Sequence, residues 1–99
     1  MAKIKKIEGG GKTNPLQKIT ARDKQYARTH VGSEKAKRIA SSPNYNIEPL
    51  DKVIARRNPN SEFAKGLGNN PNYVIEEEDK IWIRHNLWTT FTHSLLWME

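Results

Sequence analysis

The residues of this sequence that could do chemistry are first of all its basic side chains, which gather toward the N-terminus. Residues 1–38 contain eleven Lys or Arg against three acidic residues, a net charge of +8, whereas residues 39–99 have a net charge of −2. A basic segment of this kind is typical of proteins that contact a polyanion. The sequence therefore predicts a small basic nucleic-acid-binding protein, DNA or RNA, whose N-terminal third contacts the phosphate backbone with strong salt dependence. The residues expected to make those contacts are Lys3, Lys5, Lys6, Lys12, Lys18, Arg22, Lys24, Arg28, Lys35, Lys37 and Arg38.

Part of this basic segment has a helical spacing. If residues 15–30 form one helix, Lys18, Arg22, Gln25 and Thr29 follow one another along a single face. Side chains of these types can contact phosphates and base edges. The alternative is an ordinary solvated helix face.

The C-terminal end has a different chemistry, because it is rich in aromatic residues. Five of the eight aromatic residues lie in the last 29 positions. Most should be core, but an apolar face left at the end of the chain would bind a partner or a second copy. The alternative function is therefore a protein-interaction or assembly module, for example a virion or ribonucleoprotein component. Its partner-binding residues would be Trp88, Phe91 and Trp97.

Histidines give a third hypothesis, a small histidine-dependent nuclease. Its weak catalytic candidates are His85 and His93, with Arg84 to stabilise transition-state charge. The two histidines are eight residues apart, beyond the spacing at which one helix offers two metal ligands. The sequence therefore predicts no metal and no cofactor, and it favours a binding protein over an enzyme.

The elements that position these residues are predicted by an internal repeat. Residues 71–86 and 43–58 are identical at nine of sixteen positions, and residues 15–30 are a fainter copy that keeps five of them. A fixed 28-residue period is typical of stacked repeat architectures. We predict an all-α fold of three degenerate helix-turn-helix units, forming a small bundle or a short solenoid. The predicted divisions are a flexible basic arm over residues 1–13 and one helical domain over 14–99, with units 14–41, 42–69 and 70–99.

Capping residues give the predicted helix positions. Asn14, Ser42 and Asn70 each precede a proline, an arrangement typical of a helix start, although Pro49 moves the start in the second unit. Ser33, Ser61 and Thr89 are predicted N-caps of the second helices, and Gly68 is predicted to follow the end of the middle one. The first helices are predicted at 20–30, 49–58 and 76–86, and the second at 34–41, 62–67 and 90–98.

One aspartate recurs in every unit, as Asp23, Asp51 and Asp79. Three equivalent copies are unlike a unique active site. We expect this aspartate to cap the first helical turn or to pair with a repeated Lys or Arg of a neighbouring unit.

Residues 63–74 carry a local motif. Ala64 is followed four residues later by Gly68 and six after that by Val74. This spacing resembles the core of DNA-binding helix-turn-helix proteins, which implies two closely packed helices and a turn glycine with positive φ. The resemblance covers 12 of the 99 residues. The helix after it would present the acidic residues 76–79, which repel phosphates, so we interpret this copy as a structural helix pair.

Length and composition narrow the class of protein. Ninety-nine residues predict one domain, and the absence of cysteine excludes disulfides and thiolate metal sites. The first residues have no apolar signal-peptide core, and no run approaches 18 apolar residues. We therefore expect a protein of the cytoplasm or of a virion interior.

Overall fold

A computed structural model describes the chain over residues 18–97, and this part is helical with no strand. The six helices are α1 (Ala21–Thr29), α2 (Glu34–Ala40), α3 (Pro49–Arg57), α4 (Glu62–Gly68), α5 (Glu77–His85) and α6 (Thr90–Trp97). The predicted all-α class is confirmed, and each predicted helix end lies within one residue of the observed one. The predicted arm, residues 1–13, lies outside the described residues. None of the helices described is long and apolar enough to cross a membrane.

Side-chain caps explain where the helices begin. Ser33 Oγ accepts the Ala36 N–H at 3.1 Å, and Ser61 Oγ accepts the Ala64 N–H at the same distance. Thr89 Oγ1 does the same for the third residue after it, at 3.2 Å. These bonds satisfy backbone donors that have no partner inside the helix, so the predicted caps of the second helices are confirmed.

Ser42 and Asn70, which precede prolines, close turns. Ser42 Oγ accepts the Asn44 N–H at 3.1 Å, and Asn70 Oδ1 accepts the Asn72 N–H at 2.8 Å. A bond to the N–H two residues on closes a turn instead of capping a helix. The prolines after Ser42 and Asn70 therefore do not start helices, and the prediction that the helix of the second unit starts at Pro49 is confirmed. Asn14 lies outside the described residues.

The helix-turn-helix resemblance also fails in its geometry. Gly68 is the last residue of α4, without positive φ, and Asn69 is the C-cap. The next helix, α5, begins nine residues later, and Val74 in between is 67% exposed. Gly68 is needed for space instead, because a Cβ there would collide with the Ser94 side chain of α6.

The second helix of each pair forms the centre of the molecule. Helix α4 packs between α2 and α6, while α1 and α3 lie against α2 and α4 respectively. Phe63, Leu67, Phe91 and Leu95 on these helices are fully buried. Phe91 also contacts the Trp82 ring, with ring centroids 5.5 Å apart. The core is thus one cluster centred on α2, α4 and α6, and it also includes buried residues of α1, α3 and α5.

Close packing of α4 on α2 gives a first prediction. A Cβ on Gly66 would collide with the backbone carbonyl of Lys37, which cannot move aside. Gly66→Ala should therefore lower the free energy of unfolding by about 1–3 kcal/mol, the usual effect of added volume in a packed core. The matched control is Gly32→Ala, since nothing lies within 4 Å of its added Cβ. Urea unfolding followed by circular dichroism measures both, and equal midpoints would contradict the proposed packing.

Candidate functional site: two ion clusters and an exposed C-terminal face

The basic residues of α1 bind acidic groups that begin the next helix pair. Lys24 Nζ donates to the Asn46 carbonyl at 2.7 Å and to Glu48 Oε1 at 2.9 Å. Arg28 Nη2 lies 2.7 Å from the same Glu48 oxygen, and Arg28 Nε lies 2.7 Å from Asp51 Oδ1. We call these residues the first ion cluster. Its ion pairs join residues that are 20 to 24 positions apart in the sequence.

A corresponding set of contacts recurs 28 residues later. Lys52 Nζ donates to the Val74 carbonyl, to Glu76 Oε1 and to Asp79 Oδ2, each at 2.9 Å. Arg56 Nη2 donates to Asp79 Oδ1 at 2.7 Å. We call this set the second ion cluster. The expectation that the repeated aspartate pairs with a repeated Lys or Arg is thus confirmed for Asp51 and Asp79.

Each cluster is centred on a buried carboxylate. Asp51 and Asp79 are at most 1% exposed, and each also accepts a backbone N–H three residues before it, at 2.8 and 2.9 Å. Asp23 accepts the same bond from Thr20 at 3.0 Å, so its predicted capping role is confirmed. A buried carboxylate is tolerated only when it is paired and hydrogen-bonded. The backbone bond and the cations meet that requirement.

Two buried tyrosines complete the clusters, and sequence analysis gave them no role. The hydroxyl of Tyr45 donates to Asp51 Oδ1 at 2.6 Å, and that of Tyr73 donates to Asp79 Oδ1 at 2.7 Å. Burial, and then the bond to the carboxylate, raise the pKa of both tyrosines well above the usual value. The signal was present in the sequence, because this tyrosine precedes the aspartate by six residues in the second and third units.

Electrostatics favour the ionised form of the acids. Burial alone would raise the pKa of Asp79, but the Glu76 N–H, the Lys52 ammonium and the Tyr73 hydroxyl together lower it below the usual value. In the first cluster, Lys24 and then Arg28 lower the pKa of Glu48. Both carboxylates are therefore anionic near neutral pH.

The two clusters differ in how the arginine and the lysine bind the aspartate. Arg28 binds both oxygens of Asp51, through Nε and through Nη2 at 3.1 Å. In the second cluster Lys52 occupies one oxygen of Asp79, and the buried Nε of Arg56 has no partner within the described part of the chain. A groove of about 460 Å³ runs beside Lys52 and Arg56, with Val53 and Val74 on its walls.

Backbone bonds join the same neighbours. The Phe63 N–H donates to the Val31 carbonyl, and the Phe91 N–H donates to the Pro59 carbonyl, both at 2.8 Å. Asn60 Oδ1 accepts the Thr90 N–H at 2.9 Å. The turn after α1 therefore binds the start of α4, and the turn after α3 binds the start of α6. We call each of these contacts, together with the ion cluster beside it, an internal junction.

At the C-terminal end the corresponding groups are exposed. Lys80 and Arg84 follow Lys52 and Arg56 by 28 residues, and neither has an ion-pair partner among residues 18–97. Large apolar side chains surround the same end, since Leu87 is 57%, Trp88 73% and Leu96 44% exposed. We call Lys80, Arg84, Leu87, Trp88 and Leu96 the C-terminal face.

The three residues predicted to bind a partner have different environments in the structure. Trp88 is exposed, but Phe91 is fully buried against Trp82 and Tyr73, so its prediction as a partner contact is wrong. A side chain that fills the core between two rings has no surface to offer a partner. The side chain of Trp97 lies outside the described residues.

The residues predicted to contact phosphates also have different environments, since some are exposed and others form ion pairs. Lys18 and Arg22 are exposed, whereas Lys24 and Arg28 belong to the first ion cluster. The remaining described members have mixed surroundings: Lys37 pairs with Glu34 and Glu62, Lys35 lies 4.7 Å over the Tyr26 ring, and Arg38 is half-buried. Lys3, Lys5, Lys6 and Lys12 lie outside the described residues.

The predicted basic stripe is shorter than expected. Helix α1 begins at Ala21, where Thr20 caps it, so the condition of one helix over residues 15–30 is not met and Lys18 lies outside the helix. Arg22, Gln25 and Thr29 remain on the exposed face of α1.

The residues of the nuclease hypothesis lie on the surface. Arg84 and His85 are exposed at the end of α5, and His93 is exposed on α6. Over residues 18–97, no group of three or more His, Asp or Glu side chains could hold a metal ion. The positions of these residues therefore give no support to the nuclease hypothesis.

Comparison with known proteins adds nothing to these contacts, since no family model, curated protein or solved structure matches this chain.

The second ion cluster gives a stability prediction. Asp79→Asn removes the charge that pairs with Lys52 and Arg56, so it should lower the free energy of unfolding by about 3–5 kcal/mol. Asp23→Asn is the matched control, because Asp23 occupies the equivalent position with no ion pair in the part of the chain that is described. The Asp23→Asn variant loses only the charge on the acceptor of the Thr20 N–H bond, which should cost about 1 kcal/mol. Urea unfolding of both variants checks this, and equal losses would contradict the role of the cations.

The lowered pKa of Asp79 predicts how this stabilisation depends on pH. An aspartate titrates at about pH 3.9 in the unfolded chain, so the stabilisation from ionised Asp79 is complete above that pH. It is lost as pH falls from there through the lower pKa of the folded state. The stability difference between the wild type and Asp79→Asn should thus be largest near neutral pH and shrink in acid. Urea midpoints at several pH values measure it, and a difference independent of pH would contradict the assignment.

Proposed function

We propose that this protein is an interaction or assembly module built from three stacked copies of one helix-pair unit. The proposed units are the ones predicted from the sequence, and the second helices α2, α4 and α6 would form their continuous core. The support is the 28-residue offset at which the ion clusters and the junction bonds recur. The dimensions of 52 × 27 × 19 Å also suit units stacked along one axis.

The C-terminal face carries the functional part of this proposal. In a stacked array a face that no neighbouring unit covers is normally polar. Here it combines two cations with three large apolar side chains, and Trp88 is the most exposed of them. Exposed aromatic side chains next to basic ones are typical of protein-binding surfaces. We propose that this face docks a protein partner that presents carboxylates beside an apolar patch.

Affinity capture tests the docking role. The full chain is immobilised and partners from the source cells are identified by mass spectrometry, with Trp88→Ala and Leu87→Ser combined in one variant. A specific partner should be retained by the wild type and lost by this variant, because both side chains are removed from the face without touching the core. Val74→Ala is the matched control, an equally exposed apolar residue outside the face. Identical capture by all three proteins would contradict the proposed function.

Nucleic-acid binding is the second candidate, and the charge of the N-terminal third favours it. Residues 1–38 have a net charge of +8. The first ion cluster uses Lys24 and Arg28, while Lys18 and Arg22 are exposed beside the start of α1. We propose that these two cations act with the lysines of residues 1–13 on the phosphate backbone, with little sequence selectivity.

Fluorescence anisotropy with labelled duplex DNA and single-stranded RNA, across a salt series, tests this candidate. Lys18→Gln with Arg22→Gln should weaken binding and reduce the salt slope by about one for each phosphate that is no longer neutralised. The matched control is Arg57→Gln, an exposed cation of α3 outside the basic third. Absence of binding at low salt, or an equal effect of the control, would contradict nucleic-acid binding by this segment.

A further inference from the structure

The partner of the C-terminal face can be specified further from the two junctions inside the chain. We infer that this face binds the first predicted unit of a second copy, head to tail, with Lys80 and Arg84 of one copy on Asp23 of the next. This inference rests on the proposed interaction function and names its partner.

The donor side of the contact repeats an arrangement used twice within the chain. Lys24 and Arg28 reach forward to the acidic groups of the following helix pair, and Lys52 and Arg56 do the same. Lys80 and Arg84 stand at the next step of 28 residues, on the same helix positions of α5. They are exposed, so they are available to a carboxylate from another molecule.

The acceptor side is present at the other end of the described region. Asp23 stands where Asp51 and Asp79 stand, and it is fixed by the Thr20 N–H as they are fixed by their own backbone bonds. Across residues 18–97 no cation pairs with it. One end thus has two cations without a carboxylate, and the other has the corresponding carboxylate without cations.

Overall charge favours this orientation. Residues 1–41 have a net charge of +8, and residues 70–99 have a net charge of −3, in part because Glu77 and Glu78 are exposed on α5. A basic first unit is therefore attracted to the acidic third unit of another copy, which accelerates encounter and makes association weaken with salt.

The contact between copies would not be identical to the internal junctions. Leu96 replaces Gly68 and Trp88 replaces Asn60, so the second helices cannot approach as closely as α4 and α6 do. Thr20 also replaces the glutamate that shares each internal cluster. The face between copies is accordingly more apolar, with fewer ion pairs, than the junctions within one chain.

Head-to-tail contact also determines the kind of assembly. The two surfaces lie at different ends of the molecule, so the contact is heterologous, and it makes open chains or closed rings instead of a twofold dimer. The mass of the assembly should therefore rise with protein concentration, continuously for open chains and up to a fixed multiple of the monomer for rings.

Charge exchange in the full chain tests the inference by analytical ultracentrifugation at low salt. The wild type should gain mass with concentration. The tail variant K80E/R84E and the head variant D23K should each remain at monomer mass, because like charges then meet in every contact. An equimolar mixture of the two variants should regain association, since each end then finds an opposite charge. Circular dichroism of each variant shows that it is folded, and Asp23→Asn, which removes the charge without reversing it, should associate more weakly than the wild type.

The matched control is R57E, which reverses an exposed cation outside both surfaces and should associate like the wild type. A wild type that stays monomeric at every concentration would overturn the inference. So would association that survives K80E/R84E, or a mixture that remains monomeric. Failure of the inference is distinguishable from failure of the proposed function, because capture of another protein through Trp88 and Leu87 does not depend on self-association.

Discussion

A buried aspartate at the start of a helix is the constraint on which the described structure depends. Asp51 and Asp79 cap α3 and α5 from within, and their charge must be balanced at the same place. The backbone supplies one donor and a buried tyrosine a second, but neither neutralises the charge. The cations come from the preceding first helix, so every such helix is fixed in position by the one before it.

This arrangement reduces the number of basic side chains that can contact a partner. A cation that closes a junction between helix pairs is not available to a phosphate, and Lys24, Arg28, Lys52 and Arg56 are of this kind. The charge available to partners is therefore smaller than composition implies. Among the described residues, exposed cations remain in the basic N-terminal third, at Arg57 of α3 and on α5. The proposed functions are located at the first and the last of these places.

The size of the apolar side chains also differs between the internal contacts and the C-terminal face. Along the inside of the molecule, small residues allow close approach, as at Gly66 against α2 and Gly68 against α6. At the C-terminal face large side chains stand at such positions, and they are exposed. Exposed apolar area beside unpaired cations favours a protein partner over solvent alone. Ion pairs without the apolar area would contribute little at a surface.

The sequence by itself determined the local structure. Capping residues and a 28-residue period predict all six helices, because helix starts depend on side chains a few residues away, and the repeated aspartate indicates a pairing with repeated cations. Only the tertiary structure decided which cations turn inward, that Phe91 is buried while Trp88 is exposed, and that Gly68 ends a helix for reasons of space. These outcomes depend on contacts between residues more than 20 positions apart, such as Arg28 with Asp51. Local patterns cannot specify such contacts, because a basic or aromatic side chain has the same spacing along a helix whichever neighbour it meets.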